Sequence, residues 1–262
     1  MDGNRARAAE AVESAARVGA DLVVLPELCT TGYAFADESE ACELGEPADG
    51  PTLEHWRALA AAHRLVIVGG FCELDPEGVP RNSALLVDQD GTSRLYRKTH
   101  LWDREQLMFV AGVEAPPVVD TTAGRVGIAI CYDAFFPEVM RGLALAGADV
   151  IAVPMNSPLT GPSTEPLAVE IVLALASANV NRVYVAQADR TGPERGIQWA
   201  NASAICDPDG RLLAGPVDGP ALLSAVCDPE QARAKALGAR NDVFADRRPH
   251  LYPTTNDKET VH

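Results

Sequence analysis

A short apolar run near the middle of the chain ends in a cysteine. Residues 126–130 (VGIAI) are apolar throughout, which predicts a strand buried on both faces. Cys131 follows directly, and Pro137 suits the first turn of a helix. Because open α/β sheets place their ligand crevices beyond the carboxyl ends of their strands, Cys131 is a candidate nucleophile. A buried free cysteine that packs as a small hydrophobic residue is the alternative, and this stretch alone does not separate the two.

Two further predicted strands end in groups that can activate a thiol. Glu27 closes the apolar stretch 21–27, and Lys98 closes the strand 93–98, although only three of the 22 Lys and Arg residues are lysines. A carboxylate at the edge of an apolar pocket can take a proton from the thiol, and a compact ammonium can stabilise a thiolate or an oxyanion. A solvated Glu27 and a surface Lys98 are the structural alternatives. The joint pattern favours a reactive site.

Composition limits the other classes of function. The net charge is −15 and the isoelectric point is about 4.7, which argues against binding to nucleic acid or to an anionic membrane surface. The chain shows neither an apolar run of about 18 residues nor a secretory leader, so we expect a cytoplasmic protein. The six cysteines are widely spread and predict free thiols. The five histidines lack the spacing of a metal site, so neither a metal nor another cofactor is expected.

Apolar runs that alternate with amphipathic stretches predict a layered α/β fold in one domain over residues 1–262, with a tail from about 240 to 262. A turn signal, Asp90-Gly91, predicts that the third and fourth strands form a hairpin. The predicted strands are 21–27, 65–70, 82–87, 93–98, 126–130, 149–154, 182–188, 201–207, 212–214 and 221–227. The predicted helices are 2–19, 51–64, 137–146, 165–179 and 229–238.

Three segments resemble the signature segments of the nitrilase superfamily of carbon–nitrogen hydrolases. They are LPELCTTGY at 25–33, YRKTHL at 96–101 and GIAICYD at 127–133, in the order and at the spacing of that superfamily. The stretch DRRPHLY at 246–252 is similar to the tail of its amidase-like branch. The resemblance runs across nearly the whole chain, and three motifs in order are highly specific.

The resemblance implies an α-β-β-α sandwich, two copies of which pair into a four-layer α-β-α:α-β-α homodimer or assemble further. It also implies a strand before the first helix, and the expectation is that this first strand is missing because the chain begins within the helix. The family triad of Glu, Lys and Cys corresponds to Glu27, Lys98 and Cys131. A second glutamate that follows the lysine segment corresponds to Glu105, with Glu114 as a nearby alternative.

The residues around the cysteine favour amides as substrates. Members of the superfamily that act on nitriles commonly have Trp-Glu after the cysteine, whereas this chain has Tyr132-Asp133, and VAQADRTGPERG at 185–196 also resembles amidases. The resemblance implies hydrolysis of a small-molecule amide to acid and ammonia through a thioester on the cysteine, with Lys98 and the backbone N–H of Tyr132 as the oxyanion hole. The alternatives are hydrolysis of N-carbamoyl amino acids or nitriles, a catalytically inert binding or regulatory homologue, and a redox-active thiol enzyme.

Several polar and aromatic residues are candidates for the substrate pocket. Tyr33 ends the first signature segment, Asn156 lies just past the predicted strand that ends at Pro154, and Trp199 is the third candidate. A purely structural role is the alternative for each of them. The charged residues of the 185–196 segment could contact a charged substrate group or simply be solvated: Asp189, Arg190 and Glu194.

Overall fold

Two β-sheets lie face to face at the centre of the computed structural model, which describes residues 2–159 and 166–252. The first sheet has the order β1-β2-β3-β4, with β1 parallel to β2 and the other pairs antiparallel. Its strands are β1 (Leu22–Val24), β2 (Val66–Leu74), β3 (Pro80–Val87) and β4 (Ser93–Arg97). The β3–β4 hairpin confirms the prediction from Asp90-Gly91.

The second sheet has six strands in the order β10-β9-β8-β7-β6-β5. The central strands β6, β7 and β8 run parallel, so their carboxyl ends meet at one edge. The strands are β5 (Val118–Thr121), β6 (Gly124–Ile128), β7 (Val150–Pro154), β8 (Tyr184–Ala188), β9 (Ala204–Cys206) and β10 (Leu212–Ala214). A small separate pair follows, β11 (Ala236–Gly238) and β12 (Asn241–Asp242).

The described residues form six α-helices, four of which make up the two outer layers. The helices are α1 (Asp2–Arg17), α2 (Glu38–Leu44), α3 (Pro51–His63), α4 (Pro137–Leu145), α5 (Val169–Asn181) and α6 (Pro229–Arg233). Apolar residues of α1 and α3 pack on the outer face of the first sheet, and those of α4 and α5 pack on the second sheet.

Strand β2 shows how the sequence builds these layers. Because side chains alternate across a strand, Ile67 joins the core with α1 and α3, whereas Val66 and Val68 join the core between the sheets. Both faces are therefore buried, which accounts for the uninterrupted apolar run. The resulting architecture is the predicted α-β-β-α sandwich.

Two predicted elements at the carboxyl end are wrong in type or extent. Residues 221–227 do not form a strand, since they pair with no strand among the described residues, and Val226 is 93% exposed. The helix expected at 229–238 ends at Arg233, and residues 236–238 form β11 instead. The helix expected from Glu165 begins at Val169, and Glu165 lies outside the described residues, as do residues 253–262 of the predicted tail.

Candidate active site

Glu27 lies just beyond β1, where the chain approaches β2 very closely. Gly70 donates its N–H to Pro26 O at 3.0 Å and accepts from Cys29 N at 2.9 Å, so this glycine holds both sides of Glu27. A Cβ at Gly70 would lie 2.5 Å from Glu27 Cα. The second sheet contributes as well, because Asn156, two residues beyond β7, donates its side-chain amide to Glu27 O at 2.6 Å. The position of Glu27 therefore depends on both sheets.

Lys98 extends from the end of β4 into the same site. Its backbone N–H donates to Asn82 O at 2.9 Å, which continues the β3–β4 ladder to this residue. Its ammonium Nζ lies 2.6 Å from Glu27 Oε1 and 2.9 Å from Glu105 Oε1, and all three side chains are buried. A buried charge needs partners of this kind. The structure thus brings Glu27, Lys98 and Glu105 together, as the sequence predicts.

Glu105, and not Glu114, is the second carboxylate of this cluster. It lies in a 3₁₀ turn, Asp103–Leu107, where its Oε2 accepts the backbone N–H of Trp102 at 3.2 Å. Its Oε1 also accepts the hydroxyl of Tyr33 at 2.7 Å. Glu114 is exposed and lies 3.6 Å from Arg94 on the surface. Three donors from separate segments hold Glu105 in place.

Cys131 begins a second 3₁₀ turn, Cys131–Phe135, beyond the end of β6. Its φ is +44°, a left-handed conformation that costs a non-glycine residue free energy and that the surroundings must stabilise. The thiol is buried and donates to Asn156 O at 3.6 Å. This geometry presents the sulfur beyond the strand end, next to Asn156, whose side chain also holds the backbone of Glu27.

Burial and neighbouring charges shift the proton affinities in the cluster. Burial raises the pKa of Glu27 to about 7, with Lys98 opposing and Glu105 adding to the shift. Burial, together with the nearby Glu27, raises the pKa of the Cys131 thiol well above its ordinary value. Burial alone would lower the pKa of Lys98, but Glu105 and Glu27 outweigh it and raise that pKa. The site thus holds a protonated thiol, a stable ammonium and a carboxyl that can exchange protons near neutral pH.

Two polar residues of the site were missed by the sequence analysis. Asn82 donates its side-chain amide to Glu27 Oε1 at 2.7 Å. Asp133, two residues after the cysteine, is fully buried and accepts hydrogen bonds from both flanks of the site. The available signals were an amide side chain in the polar first half of β3 and a carboxylate two residues after Cys131.

A cleft of about 1320 Å³ opens beside the cluster. Glu105 and Tyr33 line it, as does Tyr132, so the cleft reaches residues on both sides of the site. Most of the remaining wall is apolar or aromatic: Phe35, Leu101, Trp102, Met108, Leu159 and Ile197. Exposed charged residues also line the cleft: Asp103, Arg104 and Arg195. The volume of the cleft is large enough to admit a small organic molecule.

The other predicted pocket residues lie behind the cleft wall. Asn156 is buried at the Glu27 backbone, and Trp199 packs edge-to-face on Tyr33 with ring centroids 5.6 Å apart. Arg190 stacks on Trp199 and pairs with Glu194, whose carboxylate accepts the Tyr33 N–H at 3.2 Å. Trp199, Arg190 and Glu194 therefore hold Tyr33 in position, whereas Asn156 holds Glu27.

Asp189 accepts hydrogen bonds from backbone N–H groups, among them those of Ser157 at 3.0 Å and Ala202 at 2.9 Å. Asp189 is thus engaged in holding loops together.

Within residues 2–159 and 166–252, no three or more His, Cys, Asp or Glu residues are grouped so that they could hold a metal ion. In the same part of the chain, none of the helices combines the length and apolar character that a bilayer crossing requires.

Comparison with known proteins identifies the family. The family model for carbon-nitrogen hydrolases matches residues 1–236. A nitrilase of Pyrococcus abyssi is 37% identical over 254 residues, which cover 96% of this chain and 93% of the relative. Human deaminated glutathione amidase is 34% identical over 93% of this chain and 77% of its own length. A solved Glu-to-Gln mutant of the amidase from Nesterenkonia sp. AN1 shows the result of Michael addition of acrylamide at its active-site cysteine. It superimposes with a TM-score of 0.78 at 29% identity, covering 95% of this chain and 92% of its own. This chain belongs to the carbon–nitrogen hydrolase family within the nitrilase superfamily, and it is an enzyme that acts on carbon–nitrogen bonds.

Proposed function

We propose that this enzyme hydrolyses a small amide to a carboxylic acid and ammonia through a thioester on Cys131. The observation that carries the proposal is the buried ammonium of Lys98 between two carboxylates, 2.6 Å from Glu27 and 2.9 Å from Glu105, together with Asn156, which contacts both Glu27 and the thiol of Cys131. The cysteine carries the acyl group, Glu27 moves protons, Lys98 binds the carbonyl oxygen, and Glu105 holds Lys98.

In the first step the sulfur attacks the amide carbonyl carbon. Because burial keeps the thiol protonated, attack requires a base, and Glu27 has a buried Oε2 with no hydrogen-bond partner among the described residues. The carbonyl π electrons move onto oxygen as the carbon–sulfur bond forms. The ammonium of Lys98 and the backbone N–H of Tyr132, at the start of a 3₁₀ turn, stabilise the resulting oxyanion.

In the later steps Glu27 returns its proton and then accepts another. The tetrahedral intermediate collapses, the carbon–nitrogen bond breaks, and Glu27 protonates the departing nitrogen so that ammonia leaves and a thioester remains. Water then attacks the thioester carbonyl while Glu27 takes its proton. The carbon–sulfur bond breaks, the acid is released, and the sulfur regains its proton from Glu27. A carboxyl with a pKa of about 7 suits both directions of transfer.

Amides are favoured over the other substrates of the superfamily by two observations. Tyr132-Asp133 follows the cysteine, as in amidases, and two of the similar proteins described above are named amidases. The Pyrococcus relative is named a nitrilase, so nitrile hydrolysis is the second candidate. N-Carbamoyl amino acids are a third candidate.

An ammonia-release screen over aliphatic amides, nitriles and N-carbamoyl amino acids tests the proposal. We expect turnover with at least one amide, and a mass increase on Cys131 equal to the acyl group when the reaction is quenched early. Cys131→Ala should abolish both signals. Turnover by Cys131→Ala, or an acyl adduct on another residue, would overturn the assignment.

The assembly and location of the enzyme belong to the same proposal. We expect one domain over residues 1–262, a cytoplasmic location and a homodimer or larger homo-oligomer. Apolar side chains exposed on α4 and α5 support self-association with a second copy: Leu145, Val172 and Val180. Sedimentation analysis should give the mass of at least two chains, and a monomer at micromolar concentration would contradict the homodimer.

A further inference from the structure

We infer that Asp133 is a positioning residue that fixes the sulfur of Cys131 relative to the ammonium of Lys98. The inference rests on the proposed function, in which these two groups act on one carbonyl. It concerns a residue that contacts neither the sulfur nor the ammonium directly. Its basis is the set of hydrogen bonds that Asp133 accepts.

One oxygen of Asp133 holds the cysteine flank. Its Oδ2 accepts the backbone N–H of Ile130 at 3.0 Å, immediately before Cys131. The same oxygen accepts the Tyr96 hydroxyl at 2.8 Å, and Tyr96 lies on β4 two residues before Lys98. A single oxygen therefore joins the strand end that carries the sulfur to the strand that carries the ammonium.

The other oxygen holds the segment that follows Lys98. Its Oδ1 accepts the Thr99 hydroxyl at 3.0 Å and the backbone N–H of His100 at 3.1 Å, and it lies 2.8 Å from His100 Nδ1. Asp133 is fully buried, so water does not compete for these bonds. Residues on both sides of Lys98 therefore donate hydrogen bonds to Asp133: Tyr96 before it, and Thr99 and His100 after it.

The backbone of Cys131 makes this support necessary. Its left-handed φ of +44° is unfavourable for a residue with a side chain and persists only when the surroundings determine it. The Asp133 N–H also donates to Ile130 O at 2.9 Å, so Asp133 closes the turn around the cysteine from both its backbone and its side chain. Loss of these bonds frees the turn to relax and to carry the sulfur away from Lys98.

Asp133→Asn separates this role from simple packing. Asparagine has the same shape but one acceptor oxygen and one NH₂ donor. If the NH₂ replaces Oδ2, it faces the Ile130 N–H, and if it replaces Oδ1, it faces the His100 N–H. Either orientation leaves one backbone donor without an acceptor and releases one flank of the site.

The matched control is Asp88→Asn. Asp88 is also buried, and its two oxygens accept the backbone N–H groups of Gln89 at 2.7 Å and Thr122 at 2.8 Å. It lies in the β3–β4 turn, and none of its bonds involves the candidate site. Asp88→Asn therefore also replaces one acceptor oxygen by an NH₂ group that faces a backbone N–H, and it should lower the free energy of unfolding for the same reason.

The experiment measures kcat and KM for ammonia release, together with the rate at which acrylamide alkylates Cys131, followed by peptide mass mapping. For Asp133→Asn we expect kcat to fall about 10²-fold, the loss typical of a displacement near 1 Å, with KM little changed and alkylation slowed. Asp88→Asn should lower the melting temperature but keep kcat and the alkylation rate of the wild type. Equal kcat values for the two variants, after correction for folded protein, would overturn the inference.

Milder variants keep the test open if Asp133→Asn does not fold. Tyr96→Phe and Thr99→Val each remove one donor to Asp133, one on each oxygen. Each should lower kcat with little change in KM, and unchanged kcat in both would refute the inference. If the proposed function itself were wrong, Cys131→Ala would still turn over substrate. That result differs from an unchanged kcat in the Tyr96 and Thr99 variants, which would refute only the role of Asp133.

Discussion

The contact between Gly70 and Glu27 predicts that a single added methyl group disables the enzyme. In Gly70→Ala the new Cβ would lie 2.5 Å from both Glu27 Cα and Leu28 N, whereas ordinary contact begins at 3.4 Å. The difference is 0.9 Å, and both close atoms belong to backbone, which cannot swing aside. Glu27 must therefore move by about 1 Å away from β2, and such a displacement costs about 10²-fold in kcat.

The substitution also destabilises the fold, so the assay needs a control for stability. Overpacking a buried position costs about 1–3 kcal/mol of the free energy of unfolding. Gly69→Ala provides the control, because the three heavy atoms nearest to a Cβ there belong to the side chains of Trp56 and Leu25, with Trp56 Cη2 at 2.5 Å. Both variants should show a lower melting temperature by circular dichroism.

The decisive quantity is kcat per folded molecule in the ammonia-release assay. We expect Gly69→Ala to stay near the wild-type value and Gly70→Ala to fall about 10²-fold, which corresponds to about 2.7 kcal/mol of activation free energy. A Gly70→Ala enzyme as active as Gly69→Ala would show that the position of Glu27 does not limit the reaction.

Three further predictions concern the charged cluster. Lys98→Arg should lower kcat by at least about 10²-fold, since a planar guanidinium does not fit a fully buried ammonium site; near wild-type turnover in the ammonia assay would remove the oxyanion role. Tyr33→Phe removes the 2.7 Å hydrogen bond to Glu105 and should cost about 10-fold in kcat, the value of a bond to a charged group; an unchanged kcat would show that Glu105 needs no such support. Because Glu27 must be deprotonated to accept the thiol proton, and its pKa is raised to about 7, kcat/KM should fall as the pH drops through about 7; a profile flat from pH 5 to about 8 would exclude Glu27 as the base.

The sequence predicts the strand ends of this site for two different physical reasons. Glu27 and Cys131 each follow an apolar run, and these runs are apolar because both sheet faces are buried there. Lys98 instead follows the edge strand β4 (SRLYR), which the hairpin with β3 places. Chain reversal at Asp90-Gly91 was predictable for a local reason as well, since its turn chemistry needs no tertiary contact. Residues 221–227 show the limit of this approach. Their apolar content resembles a strand, but a strand also needs a partner for its backbone, and pattern alone cannot supply one.

The roles of Glu105 and Asp133 could not be predicted from the sequence, because they depend on hydrogen-bond partners that are distant along the chain. The structure selects Glu105 over Glu114 because Glu105 contacts Lys98 and accepts the hydroxyl of Tyr33, more than 70 positions away in the chain, whereas Glu114 is exposed. Asp133 was visible as part of a motif, but its importance lies in donors from residues 96–100, which no local pattern connects to it. Side-chain hydrogen bonds between separate segments are a property of the folded chain.

The two carboxylates beside Lys98 differ in how fully they are bound, and this difference separates their proposed roles. Glu105 accepts Lys98 and Tyr33 on one oxygen and the Trp102 N–H on the other, so both of its oxygens are engaged. Glu27 accepts Lys98 and Asn82 on Oε1 alone, while its buried Oε2 has no partner among the described residues. A buried oxygen without a donor is costly, and a proton on that oxygen relieves the cost. Glu27 is therefore suited to receive and release a proton during the reaction, whereas Glu105 is suited to hold the ammonium still.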